Sequence, residues 1–233
     1  FRARYETVLS LGAVHTPKVL MQSGIGPEDE LRVHGIPVVQ HLAGVGRNHQ
    51  DHIAFGCTWA YRKPEEVGGG GCEATLYWKS NSGLQQPDIL QCQLEFAVPS
   101  PVETDLETPE HGWTMFAGLA QPKSRGQLRL SGPDARDPML IEPNSLSEPE
   151  DLTAALAAVE LCREAGNSEA FTPLVKTETA PRSRNKSGMI DFIRKSAVTY
   201  WHQSCTAKMG RDSMSVVDNQ LKVYGIEGLR LAD

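Results

Sequence analysis

The sequence lacks the features that define several classes of protein. No apolar run approaches the length of a membrane span, and no signal peptide opens the chain. A basic stripe is also missing, because 23 basic and 29 acidic residues give a net charge of −6 without long runs of one sign. The sequence therefore predicts neither a nucleic-acid partner nor an anionic membrane partner.

An initiator methionine and internal repeats are absent as well. The chain starts in a polar run at Phe1 and stops at Asp233, directly after a strand-like segment. We therefore expect a piece of a longer protein, in which localisation signals would lie beyond both ends. The 233 residues, 39% hydrophobic and 22% charged, suffice for one large globular domain or parts of two.

The cysteines and histidines offer no paired metal ligands. An odd number of cysteines at irregular spacing favours free thiols in a reducing compartment, and hence a cytoplasmic location; they are Cys57, Cys72, Cys92, Cys162 and Cys205. His49, Asp51 and His52 lie close together, but no further ligand is evident, so we predict no metal site. We expect instead a turn in which Asn48 and Asp51 accept hydrogen bonds from backbone amides.

Helix signals occur near both ends and in the last third of the chain. After a strand at 7–11, Thr16 has the character of an N-cap and Pro17 that of a first helical residue, with Gly24 at the end. Further helices are predicted at 28–33, from a capping box at 147–150 to about Gly166, and at 189–196. The longest helix is predicted to bury a stripe formed by Leu152, Leu156, Val159 and Cys162.

Between these helices the hydrophobic period changes to two, which predicts strands at 53–61, 89–96, 113–120 and 127–131. In the second of these, Leu90, Cys92, Leu94 and Phe96 share one face. Gln91, Gln93 and Glu95 share the other, which we expect to be solvated. Segments 68–71 and 99–109 are loops by composition. The middle of the chain is therefore predicted to be an antiparallel sheet with helices packed against it.

Three longer motifs remain. Gly12 to Gly26 predicts a strand, a turn and a short helix, with small residues where a backbone or a cofactor comes close. Gly44 to His52 begins with Gly-x-Gly but has His49 where a dinucleotide fingerprint needs its third glycine. Tyr200 to Gly210 places His202 after two aromatic residues, which suits a base beside a flat ligand. By itself such a histidine is more often a hydrogen-bonded packing residue.

As whole strings, the three motifs resemble signatures of the glucose–methanol–choline (GMC) oxidoreductase family. The first resembles its second signature, and the second resembles the family's GVGxNxQDH passage out of the flavin domain. The third resembles its terminal motif with the catalytic histidine, where Gln203 replaces the usual Pro and Cys205 the usual Gly. The segment 122–152 and the strand 229–233 also match in order and spacing. The resemblance covers nearly the whole chain and is weakest at 62–110.

The resemblance implies an α+β/α/β fold in which an incomplete, Rossmann-like FAD-binding part accompanies a substrate domain of mainly antiparallel sheet packed with helices. It implies that 1–52 end the FAD-binding domain, that 53–198 form the substrate domain, and that 199–233 carry the catalytic histidine and return to the FAD domain. The family's N-terminal glycine-rich motif and its C-terminal end are absent. The residues implied to contact FAD are Ser10, Gly12, Trp201, Ala232 and Asp233. For Trp201, a buried packing role is the alternative.

The implied activity is oxidation of a small alcohol by hydride transfer to FAD N5, with His202 as the base that takes the hydroxyl proton. The electron acceptor, oxygen or a quinone, stays open, as does the second catalytic His or Asn expected beyond Asp233. If Glu95 faces the flavin, it would bind a cationic head group such as that of choline within an aromatic cage drawn from Trp59, Tyr61, Trp78 or Trp113. Two alternatives remain: a hydroxynitrile lyase of the same family, or a non-catalytic fragment that cannot bind FAD alone.

Overall fold

The structure, a computed structural model, describes residues 2–65, 68, 70–72, 74–103 and 107–233. The loops predicted at 68–71 and 99–109 therefore lie partly outside the described residues. Within the described ranges, no helix is long and apolar enough to cross a membrane. The chain forms two compact units. Unit 1 comprises Phe1–Asp51, Ser124–Ser145 and His202–Asp233, and unit 2 comprises His52–Lys123 and Leu146–Trp201.

The strands are, in chain order, β1 (Thr7–Leu9), β2 (Ile25–Gly26), β3 (Gln40–His41), β4 (Arg47–His49), β5 (Ile53–Tyr61), β6 (Ala74–Trp78), β7 (Ile89–Leu94), β8 (Gly112–Leu119), β9 (Gly126–Leu130), β10 (Met139–Glu142), β11 (Val175–Ala180), β12 (Val198–Thr199) and β13 (Leu229–Leu231). The helices are α1 (Gly12–Gln22), α2 (Glu28–Val33), α3 (Pro149–Gly166) and α4 (Lys186–Ser196).

Unit 1 joins segments that are distant in sequence. Strand β1 pairs in parallel with β13, so that Thr7 lies opposite Leu229. Strand β9 lies between β10 and β4 in an antiparallel sheet, and the short β2 and β3 pair in parallel. Apolar side chains of α1, α2 and the neighbouring strands and loops form the buried core of unit 1. This core includes Leu20, Met21, Leu31, Val45, Leu130 and Val216.

The predicted domain boundaries differ from the observed units chiefly at one internal segment, and also at residue 52 and residues 199–201, which belong to unit 2. Residues 124–145 were expected in the substrate domain but belong to unit 1. The cause is pairing that the sequence does not reveal, since β9 runs antiparallel to β4. The ammonium of Lys18 adds a second link, because it donates to the carbonyl oxygens of Ala135 and Asp137 at 2.7 and 2.6 Å.

Helix α1 begins earlier than its Thr-Pro pair predicts. It starts at Gly12, and Pro17 lies inside the helix instead of at its first position. Thr16 is not the N-cap; its hydroxyl oxygen accepts a hydrogen bond from the amide of Leu11 at 3.0 Å. A proline inside a helix leaves the carbonyl four residues earlier without its usual donor. That carbonyl belongs to Ala13, and the hydroxyl of Thr206 donates to it at 2.5 Å. Helix α2 has the predicted bounds.

Unit 2 is built on a mainly antiparallel sheet of order β11-β5-β8-β7-β6, with β12 also paired to β5, which confirms the predicted layout. Strand β5 has the predicted bounds, but residues on both of its faces are buried. Its core face stacks Trp59 on Trp113, with ring centroids 4.6 Å apart. Asn185 caps α4 by accepting from the amide of Gly188 at 2.8 Å.

The buried stripe of α3 agrees with the predicted one only in part. Val159 and Cys162 are fully buried as predicted, but Leu152 and Leu156 are only partly buried. The other buried positions are mostly small; they include Ala154, Ala155 and Ala158. Small residues are needed because the indole of Trp59 lies so close to Gly166 that a Cβ there would collide with the ring. The predicted capping box is also displaced, since the N-cap is Glu148 and not Ser147.

The faces of β7 are the reverse of the prediction. Gln91, expected in solvent, is 5% exposed and pairs with Ala117, while Gln93 pairs with Met115. Cross-strand partners share a face, and Ala117 and Met115 belong to the core, so the two glutamines lie on the core side of the sheet. Ile89 lies on the same core face as the glutamines, whereas Leu90, Cys92 and Leu94 lie on the opposite face.

Candidate functional site

Two of the sequence motifs pair directly in unit 1. Gln50 and Ser204 form an antiparallel bridge, with the two amide-to-carbonyl hydrogen bonds at 3.2 and 2.9 Å. At the other end of the pair, the amide of Gly46 donates to the carbonyl of Thr206 at 2.8 Å. Gly46 has φ +74°, and a Cβ there would collide with the carbonyl oxygen of Leu128. Glycine is therefore required for the backbones to approach this closely.

Side chains of the Gly44–His52 motif complete this pairing. An Oδ atom of Asp51 accepts a hydrogen bond from the amide of His202 at 3.0 Å. The side-chain amide of Asn48 donates to the carbonyl of Cys205 at 3.5 Å, and Asn48 itself has φ +62°. Asp51 thus bonds a backbone amide as predicted, but this amide is 151 residues away, so the bond does not close a local turn. For Asn48 the predicted amide partner is wrong, because its side chain donates to a carbonyl.

The predicted cofactor contacts in unit 1 converge at one end of the parallel pair β1 and β13. The amide of Ala232 donates to the carbonyl of Leu9 at 2.9 Å. An Oδ atom of Asp233 accepts from the amide of Gly12 at 2.9 Å, and its other oxygen accepts from the hydroxyl of Thr16. Ser10 lies between β1 and α1 and is exposed. These residues therefore surround the carboxyl ends of two parallel strands, where ligands bind in α/β folds.

The same end of the sheet has space for a bound group. Gly12 is exposed and has φ +79°, and a Cβ added to it would meet no atom within 4 Å. The space beside the Cα atom of Gly12, at the first turn of α1, is thus open on unit 1, while the amide of Gly12 donates to Asp233. The Thr206–Ala13 hydrogen bond attaches the His202 segment to this same turn. The candidate site of unit 1 therefore joins the carboxyl ends of the strands, the start of α1 and residues 202–206.

His202 and Trp201 are both exposed, and Trp201 is 75% exposed. A buried packing role for Trp201 is therefore wrong, and its contact with a cofactor stays a prediction. Trp201 has φ +58°, a left-handed conformation that bulky residues rarely adopt. Its amide donates to the hydroxyl oxygen of Thr199 at 2.9 Å. Cys205 also has a positive φ, of 72°, at the position where the family has glycine.

Two titratable groups near this segment have shifted pKa values. Burial lowers the pKa of His49, and the nearby Asp51 carboxylate opposes that shift to a smaller extent. In unit 2, burial and a hydrogen bond with Cys92 raise the pKa of Tyr200. Tyr200 makes edge-to-face contacts with His52 and Phe116, each with ring centroids 6.3 Å apart. These three rings lie within unit 2, and only the aromatic character of position 200 was evident from the sequence.

The choline-binding hypothesis loses two of its cage residues. Trp59 and Trp113 are fully buried and stacked on each other, so neither ring is open to a cation. Glu95 accepts a hydrogen bond from the amide of Gly68 at 2.7 Å. The five cysteines all lie among the described residues, and none of them forms a disulfide. Among the described residues, no group of three or more His, Cys, Asp or Glu could hold a metal ion.

Comparison with known proteins identifies the class of protein that this arrangement defines. Two models of the GMC oxidoreductase family match the chain, one over residues 1–54 and the other over residues 122–233. The chain belongs to the GMC oxidoreductase family.

Individual relatives support the same conclusion. The chain is 33% identical to choline oxidase from Arthrobacter globiformis over 246 residues, covering 99% of the chain and 44% of the relative. It is 34% identical to mitochondrial choline dehydrogenase from Homo sapiens, covering 99% of the chain and 43% of the relative. Pyridoxine 4-oxidase from Mesorbium loti has a TM-score of 0.89 at 30% identity, with 98% and 46% coverage. The chain thus spans less than half the length of these relatives.

Proposed function

We propose that this chain is part of an FAD-dependent enzyme that oxidises a small alcohol, with His202 as the base. One observation carries the proposal: residues 202–206 are attached to the first turn of α1, next to the converging Gly12 and Asp233. Four predicted cofactor contacts and the predicted base thus belong to one folded unit, although they come from the two ends of the chain. Membership in the GMC oxidoreductase family supports FAD as the cofactor.

The residues of this unit have separate tasks. When bound, FAD supplies the acceptor for the hydride that leaves the carbinol carbon. An alcohol gives up hydride more readily when its hydroxyl proton leaves too, because an alkoxide-like oxygen strengthens the donor. An imidazole nitrogen of His202 takes that proton, which contributes ~10²–10⁴-fold to the rate. Ser10, Gly12, Ala232 and Asp233 would hold the cofactor, and the open space at Gly12 fits this role.

The relatives suggest which alcohols to test. Two of them are named for choline and one for pyridoxine, so choline and pyridoxine are the first candidates. Trp201 is placed next to the base in the chain and is exposed, which supports contact with the cofactor. Because oxidases and a dehydrogenase are among the relatives, oxygen and a quinone are both candidate acceptors.

The test uses the full-length protein with FAD bound. Anaerobic mixing with each alcohol should bleach the flavin absorbance, and His202→Ala should slow this bleaching by ~10²-fold or more. His111→Ala, which changes an exposed histidine of unit 2, is the matched control and should leave the rate unchanged. Equal rates in His202→Ala and the parent protein would refute the base assignment. Release of cyanide from a cyanohydrin without bleaching would indicate a lyase instead.

A further inference from the structure

We infer that Asp51 is a positioning residue for His202 and acts through the backbone of the histidine. This inference rests on the proposed function. The carboxylate of Asp51 accepts a hydrogen bond from the amide of His202, with 3.0 Å between Oδ1 and N. That amide belongs to the peptide plane between Trp201 and His202. A hydrogen bond to an ionised acceptor is about twice as strong as one between neutral groups. Asp51 therefore fixes the plane from which the Cα–Cβ bond of His202 projects.

The plane needs such an anchor because the backbone around it is strained. Trp201 has φ +58° immediately before His202, and Cys205 has φ +72° three residues after it. Left-handed conformations of residues other than glycine persist only where the surroundings impose them. The bridge between Gln50 and Ser204 fixes the segment two residues after His202. Asp51 alone among these contacts bonds the strained peptide itself, so its loss lets Trp201 relax and turns His202.

Positioning has a measurable signature, because a base that is displaced by about 1 Å slows the chemical step ~10²-fold while substrate binding is less affected. In the full-length holoenzyme, Asp51→Ala should lower the limiting rate of flavin reduction by ~10–100-fold with little change in the alcohol concentration at half-saturation. Asp51→Asn keeps an Oδ acceptor at the same place and should restore most of the rate. Asp51→Ala combined with His202→Ala should be no slower than His202→Ala alone.

Asp218 provides the matched control. Its carboxylate also accepts backbone amides within unit 1, those of Gln220 and Lys222 at 2.8 and 2.9 Å, but it lies outside the site. Asp218→Ala should therefore lower stability without changing the limiting rate. Asp51→Ser, which keeps a small polar side chain, replaces the alanine variant if that variant does not fold.

The outcomes separate the two proposals. A limiting rate in Asp51→Ala within twofold of the parent, while His202→Ala is slow, overturns the positioning role and leaves the proposed function intact. The positioning role is also overturned if Asp51→Ala and Asp218→Ala lower the limiting rate of flavin reduction equally and Asp51→Asn does not restore it. The loss would then follow from removing any such carboxylate and would not be specific to Asp51. An unchanged rate in His202→Ala overturns both.

Discussion

The buried imidazole of His49 makes the stability of unit 1 depend on pH, and His49→Leu should remove that dependence. His49 is 3% exposed, and its Nε2 atom has no hydrogen-bond partner among the described residues. Burial lowers its pKa below the usual 6.5, more than Asp51 raises it. The unfolded chain therefore takes up a proton near pH 6.5 while the folded protein does not. Stability falls as the pH drops below that value, until the folded ring is protonated as well.

The magnitude follows from one proton. A single uncompensated proton changes the free energy of unfolding by at most about 1.4 kcal/mol per pH unit. At neutral pH, leucine also removes an orphaned polar atom, whose burial costs about 1–3 kcal/mol. The full-length protein should therefore gain stability from His49→Leu at pH 7 to 8, and the gain should widen between pH 6.5 and pH 5.

Denaturant unfolding at several pH values checks this, with His111→Leu as the control for changing an exposed histidine. The prediction is refuted if the free energies of unfolding of His49→Leu and of the parent stay parallel from pH 8 to pH 5. A histidine whose pKa is the same in the folded and unfolded states does not make the free energy of unfolding depend on pH. If the stability gain from His49→Leu instead narrows as the pH falls, folding raises the pKa of His49, which is the opposite of the predicted direction. Either result would mean that the ring is solvated or paired in solution.

Two further substitutions test the backbone of the site. Cys205→Gly should raise the free energy of unfolding by up to about 1 kcal/mol, measured by thermal or denaturant unfolding. A left-handed φ of 72° costs cysteine about 1–2 kcal/mol, and glycine offsets part of this gain because its unfolded chain has more conformational entropy. A loss of stability in this variant would contradict the prediction. Thr206→Val should lower the free energy of unfolding by about 1–2 kcal/mol, because the partly buried carbonyl of Ala13 loses its donor. Thr206→Ser keeps the hydroxyl and should lose less; equal losses in the two variants would show that the methyl group of Thr206 matters instead.

Local patterns predicted the elements of this fold well where the controlling information is local. Strand β5 and helix α2 have the predicted bounds, because alternation and terminal glycines act within a few residues. The start of α1 was missed because Thr16 and Pro17 imitate a helix N-terminus. What allows a proline inside that helix is the hydroxyl of Thr206, which is 193 residues from its acceptor Ala13. No window of sequence contains both partners.

The faces of β7 show a second limit. Alternation correctly predicts that Gln91 and Gln93 share a face, but it does not tell which face meets the core. The glutamines lie on the core side because they pair with Ala117 and Met115. On the opposite face, Gly118 leaves space that the ring of Tyr200 occupies, since a Cβ there would lie 3.2 Å from it. Both faces are covered, so burial does not follow the hydrophobic pattern.

The site itself was predicted as separate residues and not as an arrangement. Resemblance named His202, Gly12 and Asp233, but their convergence depends on the parallel pairing of β1 with β13. Asp51 was expected to bond a backbone amide, but no sequence pattern indicated that this amide is that of His202. Carboxylate-to-amide bonds have no sequence signature when the partners are far apart, so positioning residues of this kind are found only in a folded structure.

The two departures from the family motif can now be separated by their physical effects. Cys205 keeps the left-handed backbone that glycine adopts freely, so its cost falls on stability while the course of residues 202–206 is retained. Gln203, by contrast, has an amide hydrogen and a freer φ than the usual proline, and it directly follows His202. Rigidity next to His202 is therefore supplied by contacts from residues 46–51 and not by a proline ring in the chain. Substitutions in that segment should change catalysis more than their distance from the imidazole suggests.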